Sequence, residues 1–337
     1  MLLGAAAGPH GAGLLTPAAL GGLEAAAWVA LAVIGVFLGL GLPSVARRED
    51  RSALADSALV AAITISTIAG GLVLLFFAGA GSDPPDSATP AVLLLISACM
   101  SVSAALHPAS TAGAGLRRAA RLADLDDLPL LAVGVTLVAI LAGNGELFRL
   151  VLTTATGAGV GLAGWLLFER ATVSERGVFV TGAVLLLAGV GAYLGTSPLL
   201  SGCVAALVWV RARGPADRIT AEDLSFLQHP LIALLLIVAG GLTEWTPGVL
   251  WTAGGLIVLR LAAKLLASVI VARRTRISPA LLATVLLQPG ILGIALALNA
   301  RAVLGPDHGW ILSAVTIATV ASEMLAAFLP RDYESPD

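Results

Sequence analysis

Charge is scarce in this sequence: Asp, Glu, Lys and Arg make up only 12% of its 337 residues. An ordinary soluble domain carries about 25%. A water-exposed surface of normal polarity cannot be built from so few. The basic residues do not outnumber the acidic ones (formal net charge −2), which excludes the basic stripe that nucleic acid requires. The two cysteines, Cys99 and Cys203, both lie inside apolar runs and give no disulfide framework or zinc spacing. The four histidines form no HExxH and no His/Cys cluster, and no GxSxG appears, so neither a metal site, a cofactor nor an enzymatic activity is expected. Residues 1–22 are Ala/Gly/Pro-rich and lack the basic region of a secretory signal; they read as a poorly structured external tail, in part helical at the interface.

What the chain has in quantity is long apolar runs. Hydrophobic residues make up 58% of it and mean hydropathy is +0.96. A spanning helix needs about 20 mostly apolar residues. Eleven stretches meet or approach this length: 24–44, 55–78, 90–113, 122–143, 149–169, 177–195, 197–212, 226–242, 248–270, 279–301 and 309–329. The predicted fold class is an all-α integral membrane protein of about 11 transmembrane helices. Loop charge supports the count. Alternate loops hold 15 of the 19 Lys and Arg residues, among them Arg47, Arg48, Arg117, Arg118, Arg273 and Arg274, while the opposite loops hold only Arg149 and Arg301. The positive-inside rule then puts the N-terminus outside and the C-terminus in the cytoplasm of a cell membrane.

Charge at membrane depth is costly and marks function. Arg260 and Lys264 sit four residues apart in the span 248–270, on one helix face. Lys264 is six residues from the cytoplasmic end, about 9 Å. Asp126, Asp127, Glu323 and His107 fall in the same layer when counted from their own span ends. A lysine and a carboxylate at one depth can pair. A carboxylate can also hold a proton or a metal ion, though not both, so this layer is a candidate ion- and proton-binding site, with Arg260 compensating charge. The competing reading makes Asp126 and Asp127 a solvated helix start after Arg117, Arg118 and Arg121, and lets Lys264 snorkel to the cytoplasm.

Two spans carry a proline in their body with small or polar neighbours: His107-Pro108-Ala109-Ser110-Thr111 in 90–113, and Gln288-Pro289-Gly290 in 279–301. Proline frees carbonyls and breaks a helix. Interrupted helices at corresponding places in two halves point to a transporter site. Here each break follows a Gly-rich span, and the two sets start on opposite sides of the membrane. The expected organisation is therefore a tail at 1–22, one transmembrane domain at 23–330 (first repeat 24–143, linker helix 149–169, second repeat 177–329, related as inverted repeats), and a cytoplasmic tail at 331–337.

Several segments, in order along the chain, carry a resemblance. They are VFLGLGLPSVARREDRSAL, LDDLPLLAVG, LGTSPLLSGCVAALVWV, HPLIALLLIVAGGLTEW and KLLASVIVARRTRISPALLATVLLQPGILGIALAL. Together, over roughly residues 30–330, the chain resembles the monovalent cation:proton antiporter superfamily, the sodium/hydrogen exchanger-like proteins, as an N-terminally shortened and divergent relative. The resemblance implies two broken helices that cross, a dimer-forming region and alternating access. It implies that Asp127 is the proton/cation carboxylate, Asp126 its acidic neighbour and Lys264 the lysine that pairs with the acids. The implied partners are membrane lipid, protons and Na⁺, K⁺ or Li⁺, with a homodimer expected. The alternative function is a non-transporting antiporter-like scaffold or sensor subunit.

Overall fold

A Ser/Thr–Pro dipeptide opens several helices of this chain. A computed structural model describes residues 1–45, 51–77, 94, 97, 118–119, 122–123, 125–126, 133–138, 146–168, 171–211, 216–275, 277–287 and 290–327. The helices defined over their full length are α1 (Leu2–Ala7), α2 (Pro17–Val45), α3 (Arg51–Phe77), α4 (Glu146–Phe168), α5 (Val173–Leu194), α6 (Pro198–Arg211), α7 (Ala216–Gly241), α8 (Pro247–Thr275), α9 (Pro279–Leu287), α10 (Ile291–Leu304) and α11 (Gly309–Ala327). There is no strand among the described residues. Four of these helices, α2, α6, α8 and α9, start at a proline preceded by Thr16, Ser197, Thr246 or Ser278. The hydroxyl accepts a backbone N–H of the first turn each time: from Ala19 at 3.2 Å, Leu200 at 3.1 Å, Val249 at 3.3 Å and Leu281 at 3.2 Å. Proline has no N–H to leave unsatisfied at the first helical position, and its φ already suits the helix.

The segment 1–22, expected to be a poorly structured tail helical in part, holds two helical stretches. Leu2–Ala7 forms α1, and α2 starts at Pro17 rather than at 24. The reason is glycine. Gly4 lies against the carbonyl of Ile237 and Gly240 against the carbonyl of Met1, so α1 and α7 meet backbone to backbone.

By contacts within the chain the residues divide into two units. The first holds Met1–Arg47, Val133–Thr243 and Leu298–Gly309. In it α2 packs along α6, and glycine again sets the approach. Gly35 faces the Leu199 carbonyl, Gly39 faces the Cys203 carbonyl, and Gly202 faces the Ala32 carbonyl. On another side of α6, Gly157, Gly161 and Gly164 of α4 lie against Ser201, Ala205 and Trp209. The buried Trp209 indole donates from Nε1 to the Gly161 carbonyl at 2.9 Å.

The second unit holds Arg48–Ala132, Glu244–Ala297 and Trp310–Asp337. There α3 packs on α8, with Gly71 against Leu259 and Gly255 against Leu75, and α8 packs on α9. Helix α8 reverses the soluble pattern. Its buried stripe includes Thr252, Arg260, Lys264, Ser268 and Thr275, whereas Trp251, Val258, Leu265, Leu266 and Val269 are exposed. Polar residues inward and large aliphatic residues outward is the arrangement a hydrocarbon solvent selects. Five described helices are long and apolar enough to cross a membrane: Ala18–Gly41, Ala55–Leu75, Phe148–Leu167, Glu175–Leu194 and Pro247–Thr275. The chain is a multi-pass membrane protein.

The break expected in 279–301 is present: α9 ends at Leu287 and α10 resumes at Ile291. The other break, with His107, Pro108, Ser110 and Thr111, lies outside the described residues.

Candidate functional site: a buried lysine–aspartate pair

The site is built on two helical segments of the second unit. Every described residue from Arg118 to Asp126 is helical. Ala119, Leu122, Ala123 and Asp126 recur at the i, i+3, i+4, i+7 spacing of one helix face, and all four are buried. The first three belong to an apolar cluster with Val60 of α3, Ala267 and Val271 of α8, and Leu282, Val285 and Leu286 of α9. That cluster docks the face, and the next turn of the same face carries Asp126 to α8. The small side chains Ala263 and Ala267, both fully buried, flank Lys264 on α8 and make room for its stem.

Lys264 Nζ donates to Asp126 Oδ2 at 2.7 Å, with both side chains 0% exposed. The pair is buried and internal to the second unit. Asp126 is fully buried rather than solvated, and Arg118, Ala119, Leu122, Ala123 and Leu125, the described residues before it, are helical. Lys264 does not snorkel. Arg260, one turn away on α8 and 5% exposed, adds a second positive charge that acts on Asp126. The other carboxylate oxygen, Asp126 Oδ1, is buried and finds no hydrogen-bond donor among the described residues. Among the described residues, the carboxylate therefore has one oxygen held by an ammonium and one without a donor.

The remaining sequence candidates separate. Gly290 is buried at the start of α10, just after the break. Glu323 is exposed on α11 and is not part of the Lys264–Asp126 pair. Asp127, His107, Pro108, Ser110, Thr111, Gln288 and Pro289 lie outside the described residues.

One polar contact escaped the sequence reading. Asn299 of α10, fully buried, accepts a hydrogen bond from Ser197 Oγ at 3.0 Å within the first unit. Its signal was available: a lone amide in the apolar helix ILGIALALNARAVL has no means of satisfying itself.

The described architecture is that of an all-helical, multi-pass membrane protein with an interrupted helix. Among solved structures the chain is similar to that of the sodium proton antiporter MjNhaP1 from Methanocaldococcus jannaschii at pH 8, with a TM-score of 0.62, 16% sequence identity, and coverage of 97% of this chain and 91% of that one. At this identity the likeness is one of fold. No protein-family profile matches the chain, and no curated protein matches it.

Proposed function

We propose that this protein exchanges protons for a monovalent cation (Na⁺, K⁺ or Li⁺) across the cell membrane by alternating access. The carrying observation is the Lys264–Asp126 pair, 0% exposed, with Asp126 Oδ1 left unbonded among the described residues. Lysine at this depth is tolerated only beside a carboxylate. Asp127 carries the exchanged proton or cation, and Asp126, neutralised by Lys264, sets the charge beside it. Arg260 adds a compensating positive charge that acts on Asp126. Support comes also from the fold, which is similar to that of the sodium proton antiporter MjNhaP1. In this reading the protein works as a homodimer in the cell membrane, N-terminus outside and C-terminus in the cytoplasm.

The test is proton flux in vesicles reconstituted with the purified protein and loaded with a pH-sensitive dye. Na⁺, K⁺ and Li⁺ gradients are imposed in turn. Cation-dependent proton movement is expected in the wild type and lost in Asp127→Asn. Movement that survives Asp127→Asn but not Asp126→Asn places the exchange on the paired acid; survival in both moves it to Glu323. No movement with any of the three cations, from protein whose folding is verified by its melting curve, overturns the antiporter reading in favour of a scaffold or sensor.

A further inference from the structure

In hydrocarbon no water is at hand to satisfy a side-chain hydroxyl, and a helix usually answers by accepting the hydroxyl proton on its own backbone. This chain does so repeatedly. Thr153 donates to the Arg149 carbonyl at 2.7 Å, Thr181 to Gly177 at 2.8 Å, Thr243 to Ala239 at 2.9 Å and Thr252 to Gly248 at 2.9 Å. The turn between α5 and α6 departs from this rule. It consists of Gly195, in the left-handed region at φ +62°, then Thr196 and Ser197, before Pro198 opens α6. Thr196 and Ser197 are 2% and 0% exposed, yet Thr196 Oγ1 has no hydrogen-bond partner among the described residues. Helix α6 has only 14 residues, about 21 Å, against about 30 Å of hydrocarbon, so a buried turn at its end is expected to lie below the membrane surface.

Asn299 meets this turn. Ser197 Oγ accepts the Leu200 N–H at 3.1 Å, which leaves its own proton for Asn299 Oδ1 at 3.0 Å. The amide orientation follows: Oδ1 faces Ser197, and Nδ2 turns its two protons elsewhere. Nδ2 is buried, on a side chain 0% exposed, and has no acceptor among the described residues. Two N–H protons and a hydroxyl one residue from the N-cap of α6 are thus left over, at the positive end of a helix dipole.

We propose that Asn299, Ser197 and Thr196 form a buried polar site that binds one water molecule at the N-terminus of α6. The donors select the occupant. Amide protons repel a cation. An anion would be buried against neutral donors and a helix end without a full countercharge, which is costly. A water accepts from Nδ2 and donates to Thr196 Oγ1, and each bond replaces one that neither helix can supply. The bound water tethers the α5–α6 turn to α10.

The experiment is a high-resolution structure of the intact protein in NaCl, repeated with NaBr and, separately, with TlCl-equilibrated nitrate buffer. One non-protein density peak is expected about 2.7–3.2 Å from Asn299 Nδ2. It should show no anomalous signal with bromide or thallium, vanish in Asn299→Leu, and lose occupancy in Thr196→Val. A bromide signal at the peak makes the site an anion site, and a thallium signal makes it a cation site with the amide reversed; either overturns the proposal. So does a wild-type map without a peak, in which Nδ2 donates directly to protein. The wild-type maps decide the matter even if Asn299→Leu does not fold.

Discussion

Replacing Lys264 by Met keeps the length of the side chain and removes its charge. Lys264 and Asp126 are both 0% exposed and lie 2.7 Å apart, so the substitution leaves a carboxylate buried with its nearest countercharge gone. Two large terms oppose each other in the wild type. The attraction at 2.7 Å, taken with an effective dielectric of about 20, is on the order of 6 kcal/mol. Removing each ion from water costs several kcal/mol and returns most of that gain. The pair itself is therefore close to neutral for stability, whereas breaking it from one side exposes the whole desolvation cost. Lys264→Met should destabilise by about 3–5 kcal/mol. That is a factor of roughly 10² to 10⁴ in the unfolding equilibrium. Lys264→Met combined with Asp126→Leu should recover most of the loss, because nothing charged is then left unpaired. Arg260 will soften the single-mutant effect, since its charge also acts on Asp126. The assay is reversible denaturant unfolding in mixed micelles, read as midpoint and slope for the wild type, both single variants and the double. A loss below about 1 kcal/mol in Lys264→Met, the value of a water-exposed pair, would refute the reasoning. So would a double variant no more stable than the worse of the singles.

Three further outcomes rest on packing and backbone. Gly35→Ala drives a methyl into the Leu199 carbonyl and should cost about 1–3 kcal/mol by forcing α2 and α6 apart, seen as a lowered melting temperature of the purified protein. Gly195→Ala meets no atom within 4 Å but must adopt φ +62°, so its cost should be confined to about 1–2 kcal/mol of backbone strain; a loss well above that range would contradict the open space seen there. Trp209→Phe removes the 2.9 Å bond from Nε1 to the Gly161 carbonyl and leaves a void where the larger buried indole was, for an expected loss of at least about 1 kcal/mol in the same melting assay.

Much of the fold was legible because bilayer thickness imposes a length on every apolar run. The spans read at 149–169, 177–195 and 309–329 match α4, α5 and α11 to within a few residues at each end. The break after Leu287 was legible as Pro289-Gly290. Depth counted along each helix placed Lys264 and Asp126 in one layer, and depth is a one-dimensional quantity that a sequence carries. Lateral arrangement is not. Nothing in periodicity says that Gly35 faces Leu199 or that Gly4 faces Ile237; glycines pack wherever two backbones converge, and a sequence does not name the partner. Helix starts were misplaced for a different reason. Apolar windows smear the boundary, whereas the Thr16-Pro17 dipeptide states it, so α2 was read from 24 when it begins at 17.

The polar residues inside the apolar helices show where such reading has its limit. Serine and threonine have short side chains that reach a carbonyl three or four residues back, as Thr153, Thr243, Thr275 and Ser268 do, so their presence in a span predicts nothing about a neighbour. Lysine, asparagine and the tryptophan indole cannot close such a bond on their own helix. Each must find its partner elsewhere in the chain: Lys264 finds Asp126 across 138 residues, Asn299 finds Ser197 across 102, and Trp209 finds Gly161 across 48. Charge alone drew attention to the first of these, because its cost is largest. The same argument applies with smaller energies to the amide and the indole. A membrane sequence therefore announces its tertiary contacts at the polar groups that cannot satisfy themselves.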